Sequence, residues 1–178
     1  MPASSAAQDQ LRPLIRDVRN FPKPGIVFRD ITPLLGSPAE FALAVVSLMT
    51  PWRETEITHV VGVESRGFIF AAPVALGLGA AFVPVRKPGK LPATVLREAY
   101  ALEYGTDVLE MHADAMPPGA RVLIVDDVLA TGGTAQATGQ LVRNAQATVV
   151  GYAFLLELPA LDGRRLLGET RIESLLEY

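Results

Sequence analysis

Two adjacent carboxylates, Asp126 and Asp127, end the aliphatic run 122-VLIV-125 and are followed closely by 130-ATGGT-134. Side-by-side carboxylates repel one another, and paired glycines weaken any element that contains them, so the arrangement calls for a ligand that offsets both costs. Glycines let backbone N–H groups converge, and a helix opening at this loop adds partial positive charge; together they make a phosphate cradle. Ala130, Thr131, Gly132, Gly133 and Thr134 form that cradle, with the two threonine hydroxyls as extra donors. A β-branched side chain at Gly132 would block the phosphate and resist a positive φ. Carboxylates accept hydrogen bonds from vicinal hydroxyls and can share in holding Mg2+. A sugar 5-phosphate satisfies both halves. The lysine of a GxxxxGK[ST] loop is missing, and 77-GLGAAF-82, the nearest approach to GxGxxG, fails at its last position, so neither a nucleoside-triphosphate loop nor a dinucleotide fingerprint is present.

Elements must carry this loop to one edge of a fold. The sequence 58-THVVGV-63 reads as a buried strand, ESRG as a polar loop, 67-GFIFAAPVALGL-78 as a mostly apolar helix and 80-AAFVPVRK-87 as a strand. The same grammar returns with 121-RVLIVDD-127, ATGGT, a helix to about Asn144, and 148-TVVGYAFLLEL-158. Strand, loop, helix, strand twice over predicts two βαβ units in a mostly parallel sheet flanked by helices, with ligands beyond the carboxyl ends of the strands. Upstream, 9-DQLRPLIRDVRN-20 reads as a short helix with Pro13 in its first turn. Ser37-Pro38-Ala39-Glu40 supplies an N-cap, a first-turn proline and the Glu of a capping box for a helix running to Pro51. The stretch 21-FPKPGIVFRDITPLL-35 is too rich in Pro and Gly for a helix and too apolar for a linker. Residues 88–118, with alternating pieces punctuated by Gly and Pro, read as a two-stranded excursion or lid. Arg86, Lys87 and Lys90 make a local basic cluster that a multiply charged anion would need.

At 178 residues the chain has the length of one domain, 1–178, and 49% hydrophobic with 20% charged residues is globular composition. A net charge of −3 argues against nucleic acid bound by bulk charge. The absence of cysteine removes disulfides, thiolate metal sites and cysteine nucleophiles. With only His59 and His112, a transition-metal site is not expected. No secretory leader or membrane span is legible, so a soluble, cytoplasmic protein is expected.

Four hydrophobic residues, two acids and TGGT resemble the phosphoribosyl-diphosphate motif of the type I phosphoribosyltransferases. FPKPGIVFRDITPLL, VVGVESRGFIF, RKPGKLP, YALEYG, VDDVLATGGT and LLELPALDGR follow in the order and spacing of the branch of that family that uses adenine. The likeness spans about residues 10–178. It implies a small N-terminal hood at about 21–36, a flexible lid at about 88–118, and transfer of phosphoribose from phosphoribosyl diphosphate to adenine, giving AMP and diphosphate in purine salvage. It further implies a homodimer, and Mg2+ carried mainly by the substrate, with Asp126 or Asp127 as available protein ligands.

By the same resemblance, Asp126 and Asp127 hold the ribose hydroxyls and 130–134 the 5-phosphate. Arg66, Lys87, Lys90 and Arg86 serve the diphosphate, with a strained or cis peptide near Ser65, whereas Glu64 is read as structural. Phe28 and Leu158 face the two sides of adenine, Val27 offers backbone hydrogen bonds and Arg29 a side-chain contact. Departure of diphosphate from the anomeric carbon passes through an oxocarbenium-like state, while hydrogen bonding at the base must adjust. Glu103 in the lid, beside Tyr104, fits that role and would help exclude water. Glu110→Gln, further along, is expected to be near neutral. Two alternatives remain at this point. One is a phosphoribosyltransferase for another purine base. The other is a regulator that senses phosphoribosyl diphosphate, although only about ten N-terminal residues are left for a nucleic-acid surface.

Overall fold

The computed structural model describes residues 5–101 and 106–178; Glu103 and Tyr104 lie outside the described residues. The order is α1 (Ser5–Leu11), β1 (Arg16–Arg19), β2 (Val27–Asp30), α2 (Thr32–Leu35), α3 (Pro38–Met49), β3 (His59–Val63), α4 (Gly67–Leu78) and β4 (Ala81–Val85). It continues with β5 (Val95–Ala101), β6 (Thr106–His112), β7 (Arg121–Leu129), α5 (Gly133–Asn144), β8 (Thr148–Glu157) and β9 (Arg171–Glu177). Both expected βαβ units form. Their four strands, joined by β9 beside β8, make one parallel five-stranded sheet in the order β4-β3-β7-β8-β9, so β7 lies in the middle. Among the described residues no helix is long and apolar enough to cross a membrane.

The sheet buries both faces, which is why its strands read as near-continuous apolar runs. On one face, Leu11, Leu34, Leu48, Trp52 and Phe70 bring α1, α2, α3 and α4 against Leu123 and Val125 of β7. On the other, Leu141 and Val142 of α5, with Leu109 and Met111 of β6, cover Val122 and Ile124. Successive β7 residues thus alternate between the two cores, as a strand requires.

The N-terminal segment departs from its helical reading. The helix ends at Leu11, Arg12–Leu14 form a 3-10 turn with Pro13 inside it, and Arg16–Arg19 are a strand. Long-range pairing overrides local propensity here: β1 runs antiparallel to β2, with Arg16 opposite Asp30 and Asp17 opposite Arg29. Both opposed pairs are ion pairs, the cross-strand contact that stabilises a short exposed hairpin. At α3 the expected capping box closes differently. The Ser37 hydroxyl donates to the Glu40 carboxylate itself instead of accepting from the helix backbone. The excursion is an antiparallel pair, β5 with β6, in register from Val95–His112 to Ala101–Thr106.

Candidate active site

β7 outruns its neighbour. Its pairing with β3 ends at Val125, whereas its pairing with β8 continues to Leu129. Asp126 and Asp127 therefore lie within a strand, beside a flank where β3 has already turned away, rather than at the strand's end as the sequence suggested. Val125 and Val128, three positions apart, pack on the same core, so strict alternation breaks across the acidic pair. That slip lets both carboxylates line one cavity of about 350 Å³ together with Glu64, Ser65, Arg66 and residues 128–135.

The pair is electrostatically stressed. Burial first, then the Asp127 charge, raise Asp126 well above the usual carboxylate range. Burial also raises Asp127 despite the Arg66 guanidinium, whose Nε stands 2.7 Å from its Oδ2. That oxygen accepts no aligned hydrogen bond although it is buried. The Asp127 N–H donates to Asp126 Oδ1 at 2.9 Å. A Cβ on Gly67 would lie 2.5 Å from Asp126 Oδ1, so only glycine lets α4 begin this close to the carboxylate.

Arg66 is placed by the loop after β3, where the Glu64–Ser65 peptide is cis, at the position expected. Its guanidinium also lies 5.0 Å from the centre of the Phe28 ring. Phe28 is thereby brought to the cavity's edge, with Phe21 packed against it at 5.2 Å, edge to face.

The glycine loop leads into α5 as expected. Gly132 has φ +85°, a conformation that disfavours any side chain. The first obstacle to a side chain there is protein, however: a Cβ would stand 2.4 Å from the Gly163 carbonyl oxygen. Reciprocally, a Cβ on Gly163 would stand 2.2 Å from Ala130 O. The loop is clamped between α5 and the turn after β8, backbone against backbone. That turn is tied down by Arg164, whose Nε and Nη2 donate to the two oxygens of buried Glu157 at 2.6 and 2.7 Å. Against the upward push of burial, Arg164 holds Glu157 below the usual carboxylate range. Leu158, in the same segment, is half-buried and donates its N–H to Leu129 O at 2.9 Å.

The basic cluster sits beside the cavity, held by carboxylates. Glu64 accepts from Arg86 Nε at 3.0 Å and from the Lys87 N–H at 3.1 Å, and it pairs with the Lys90 ammonium. Burial opposes its ionisation, but Lys90, the Lys87 N–H and Arg86 together bring it below the usual range. Lys87 pairs with Asp107 at the start of β6, and Asp107 also accepts from the Tyr100 hydroxyl at 3.2 Å. Glu110 lies on the covered face of the hairpin. It is 1% exposed, accepts from the Gly89 N–H at 2.9 Å, pairs with Arg97 and flanks the Arg86 backbone. Alternation alone cannot distinguish the covered face of a hairpin from its wet one.

Val27 and Arg29 fall on the face of β2 opposite Phe28. Val27 is 41% exposed, and Arg29 pairs with Asp17 while stacking 4.6 Å from the Tyr178 ring. They line a recess with Asn20 and Gly25, separate from the acidic cavity. Sequence reasoning passed over Glu157, Gly163 and Arg164 as individuals. The one local signal was a Glu closing the wholly apolar run of β8.

A family model described as "Phosphoribosyl transferase domain" matches residues 41–173. The chain is similar to adenine phosphoribosyltransferase of Acaryochloris marina, with 56% identity over 168 residues covering 94% of this chain and 99% of that relative. The crystal structure of adenine phosphoribosyltransferase from Rhodothermus marinus superposes with a TM-score of 0.93 at 55% identity, covering 98% of this chain and 100% of that one. The Saccharomyces cerevisiae enzyme, solved with an imino-altritol bisphosphate and adenine, gives 0.91 at 40% identity over 97% of this chain and 100% of its own. By its parallel sheet, its acidic pair and glycine loop, and its likeness over nearly full length, the chain belongs to the adenine phosphoribosyltransferases of the phosphoribosyl transferase domain family.

Proposed function

We propose that this chain transfers the 5-phosphoribosyl group from 5-phospho-α-D-ribose 1-diphosphate to adenine, giving AMP and diphosphate for purine salvage. The observation that carries the reading is the single cavity in which a carboxylate pair, Arg66 and a glycine loop at a helix N-terminus converge. Each part suits one piece of that substrate. N–H groups of 131–134 and the positive end of α5 take the 5-phosphate, with the Thr131 and Thr134 hydroxyls as further donors. Asp126 and Asp127 accept from the vicinal ribose hydroxyls. Those donors favour the ionised pair, which burial disfavours in the free protein. Arg66, backed by Arg86, Lys87 and Lys90, neutralises the diphosphate. The bond from the anomeric carbon to the diphosphate oxygen breaks and the electron pair leaves on that oxygen; a ring nitrogen of adenine bonds to the carbon in its place, and the proton lost from the adenine ring passes to the departing diphosphate or to solvent.

For the base, Phe28 and Leu158 are assigned to the ring faces, the Val27 backbone and Arg29 to the edge. Glu103 adjusts hydrogen bonding at the base, and Glu103 and Tyr104 close over it as a lid. Because Arg29 is turned to Asp17 and Tyr178, its contact requires a change of side-chain partner.

The donors available to Mg2+ fit an ion that arrives with the substrate. They are the carboxylate oxygens of Asp126 and Asp127; Asp127 Oδ2, buried without an aligned hydrogen bond, is already ion-paired with Arg66 at 2.7 Å, so the protein alone offers the ion little. Among the described residues no group of three or more His, Asp or Glu could hold a metal alone. Mg2+ keeps several waters and substrate oxygens. When bound, it supplies positive charge to the departing diphosphate. The dimer is supported by α4, apolar throughout, with Leu76 84% exposed. Phosphorylated substrates, which do not cross membranes unaided, favour a cytoplasmic enzyme. No nucleic acid or membrane is needed.

Purified protein incubated with labelled phosphoribosyl diphosphate and Mg2+ should make nucleotide from adenine and not from hypoxanthine or guanine, and a chelator should abolish it. Turnover of another purine in place of adenine, or tight binding with no turnover, refutes the assignment.

A further inference from the structure

Three carboxylates line or border the cavity, and the chemistry above uses two. The third, Glu64, poses a problem, since a pocket for a polyanion gains nothing from an extra negative charge and loses by repulsion. Its surroundings offer an answer. The carboxylate is largely buried, with its side chain 11% exposed, and its acceptors are spent wholly on residues 86–90. Arg86 Nε and the Lys87 N–H share Oε2, while the Lys90 ammonium takes Oε1. Two of these contacts are rigid: the Lys87 N–H is backbone, and Arg86 is pinned again by its Nη1 donating to Lys90 O at 3.2 Å. Only the Lys90 side chain, 48% exposed on a flexible stem, can leave without disturbing the loop.

We propose that Glu64 is a positioning residue and resident counter-ion for the basic loop: it shapes residues 86–90 through Arg86 and the Lys87 N–H, and it parks Lys90 until diphosphate takes that ammonium. The inference rests on the reading that this loop serves diphosphate. Lys90 exchanges one anionic partner for another, so the free loop carries no uncompensated ammonium beside Arg86 and Lys87. Diphosphate affinity is lowered by what the Lys90–Glu64 pair contributes, and product release is eased by the same amount.

The test is calorimetric titration of inorganic diphosphate with Mg2+ into the intact protein and into Glu64→Gln, Lys90→Met and the double variant. Gln keeps the shape and the acceptor for the loop but not the charge. Glu64→Gln should therefore bind diphosphate roughly three- to fivefold more tightly, the upper range for a half-exposed ion pair. Lys90→Met should weaken binding, and in that background the gain from Glu64→Gln should shrink by at least half, which is coupling between the two sites. Glu64→Asp, too short to reach both Lys90 and the Lys87 N–H, should fall between wild type and Glu64→Gln, and it stands in should the Gln variant fail to fold. If Glu64→Gln binds diphosphate as wild type or more weakly, Glu64 is a structural clamp only and the proposal falls. If it tightens equally with and without Lys90, the effect is plain repulsion and the exchange falls. If Lys90→Met leaves diphosphate binding unchanged, the reading of the basic loop fails, and the proposal with it.

Discussion

Gly163→Ala isolates how much of catalysis depends on the clamp around the phosphate loop. Gly163 does not occupy the left-handed region, so alanine adds no backbone strain, only a Cβ. That Cβ would stand 2.2 Å from Ala130 O, 3.1 Å from Ala130 C and 3.0 Å from Leu129 Cδ1. Two of the three obstacles are backbone, so relief comes from moving the loop or the turn, not from a rotamer change. Restoring ordinary contact requires roughly 1 Å of displacement at the residue that opens the cradle, a misplacement that can cost about 100-fold in rate. Overpacking costs about 1–3 kcal/mol, and a domain of this size loses about 2–4 °C of Tm per kcal/mol.

The expected outcome in steady-state kinetics is therefore a kcat/KM for phosphoribosyl diphosphate lowered about 100-fold, through KM at least in part, with a Tm loss of several degrees. Gly36→Ala is the control, because its new Cβ would meet only Pro33 O and Thr32 O at 3.6 Å each. It should leave both quantities near wild type. A Gly163→Ala enzyme with unaltered kinetics and Tm would falsify the argument that backbone contact at Gly163 sets the loop.

Asp126 and Asp127 titrate above their ordinary range when folded, so the folded state binds those protons more tightly than the unfolded one. The stability this gives is complete below about pH 4 and is lost as pH rises through the folded titration. Without substrate, the Tm of Asp126→Asn should rise relative to wild type as pH goes from about 4 to 7; parallel Tm curves refute the assignment. The same variant should lose about one to two decades in kcat/KM, the worth of a charge-assisted hydrogen bond. Arg164→Ala leaves the Glu157 carboxylate, its side chain 5% exposed, without its partner. The cost by denaturant unfolding should be about 3 kcal/mol, the lower end for a broken buried pair because Arg164 is itself half-exposed. Glu157→Gln in addition should recover part of it, and additive losses count against the pairing. Glu103→Gln should lose about 100-fold in kcat with phosphoribosyl diphosphate binding unchanged. A raised KM for adenine at intact kcat would make Glu103 an orienting group only.

Much of the fold was legible because its signals are local. Buried parallel strands announce themselves as apolar runs, glycines mark where backbone must turn tightly, and the two βαβ units came out as read. The acidic pair and its loop were legible for the same reason, since their chemistry is written in nine consecutive residues, 126–134. What escaped depends on partners far along the chain. Residues 16–19 are a strand because 27–30 lie beside them, a pairing that outweighs their local helical pattern. Glu64 meets residues 22 to 26 positions away. Gly132 needs its bare Cα because Gly163 stands there, and Glu110 is buried because a neighbouring loop covers it. Residue types and short spacings determine which chemistry the chain can hold. Burial and long-range proximity, which exist only once the sheet is assembled, decide where the charges are paired, which carboxylates are pushed above their ordinary titration range and how firmly the phosphate loop is held.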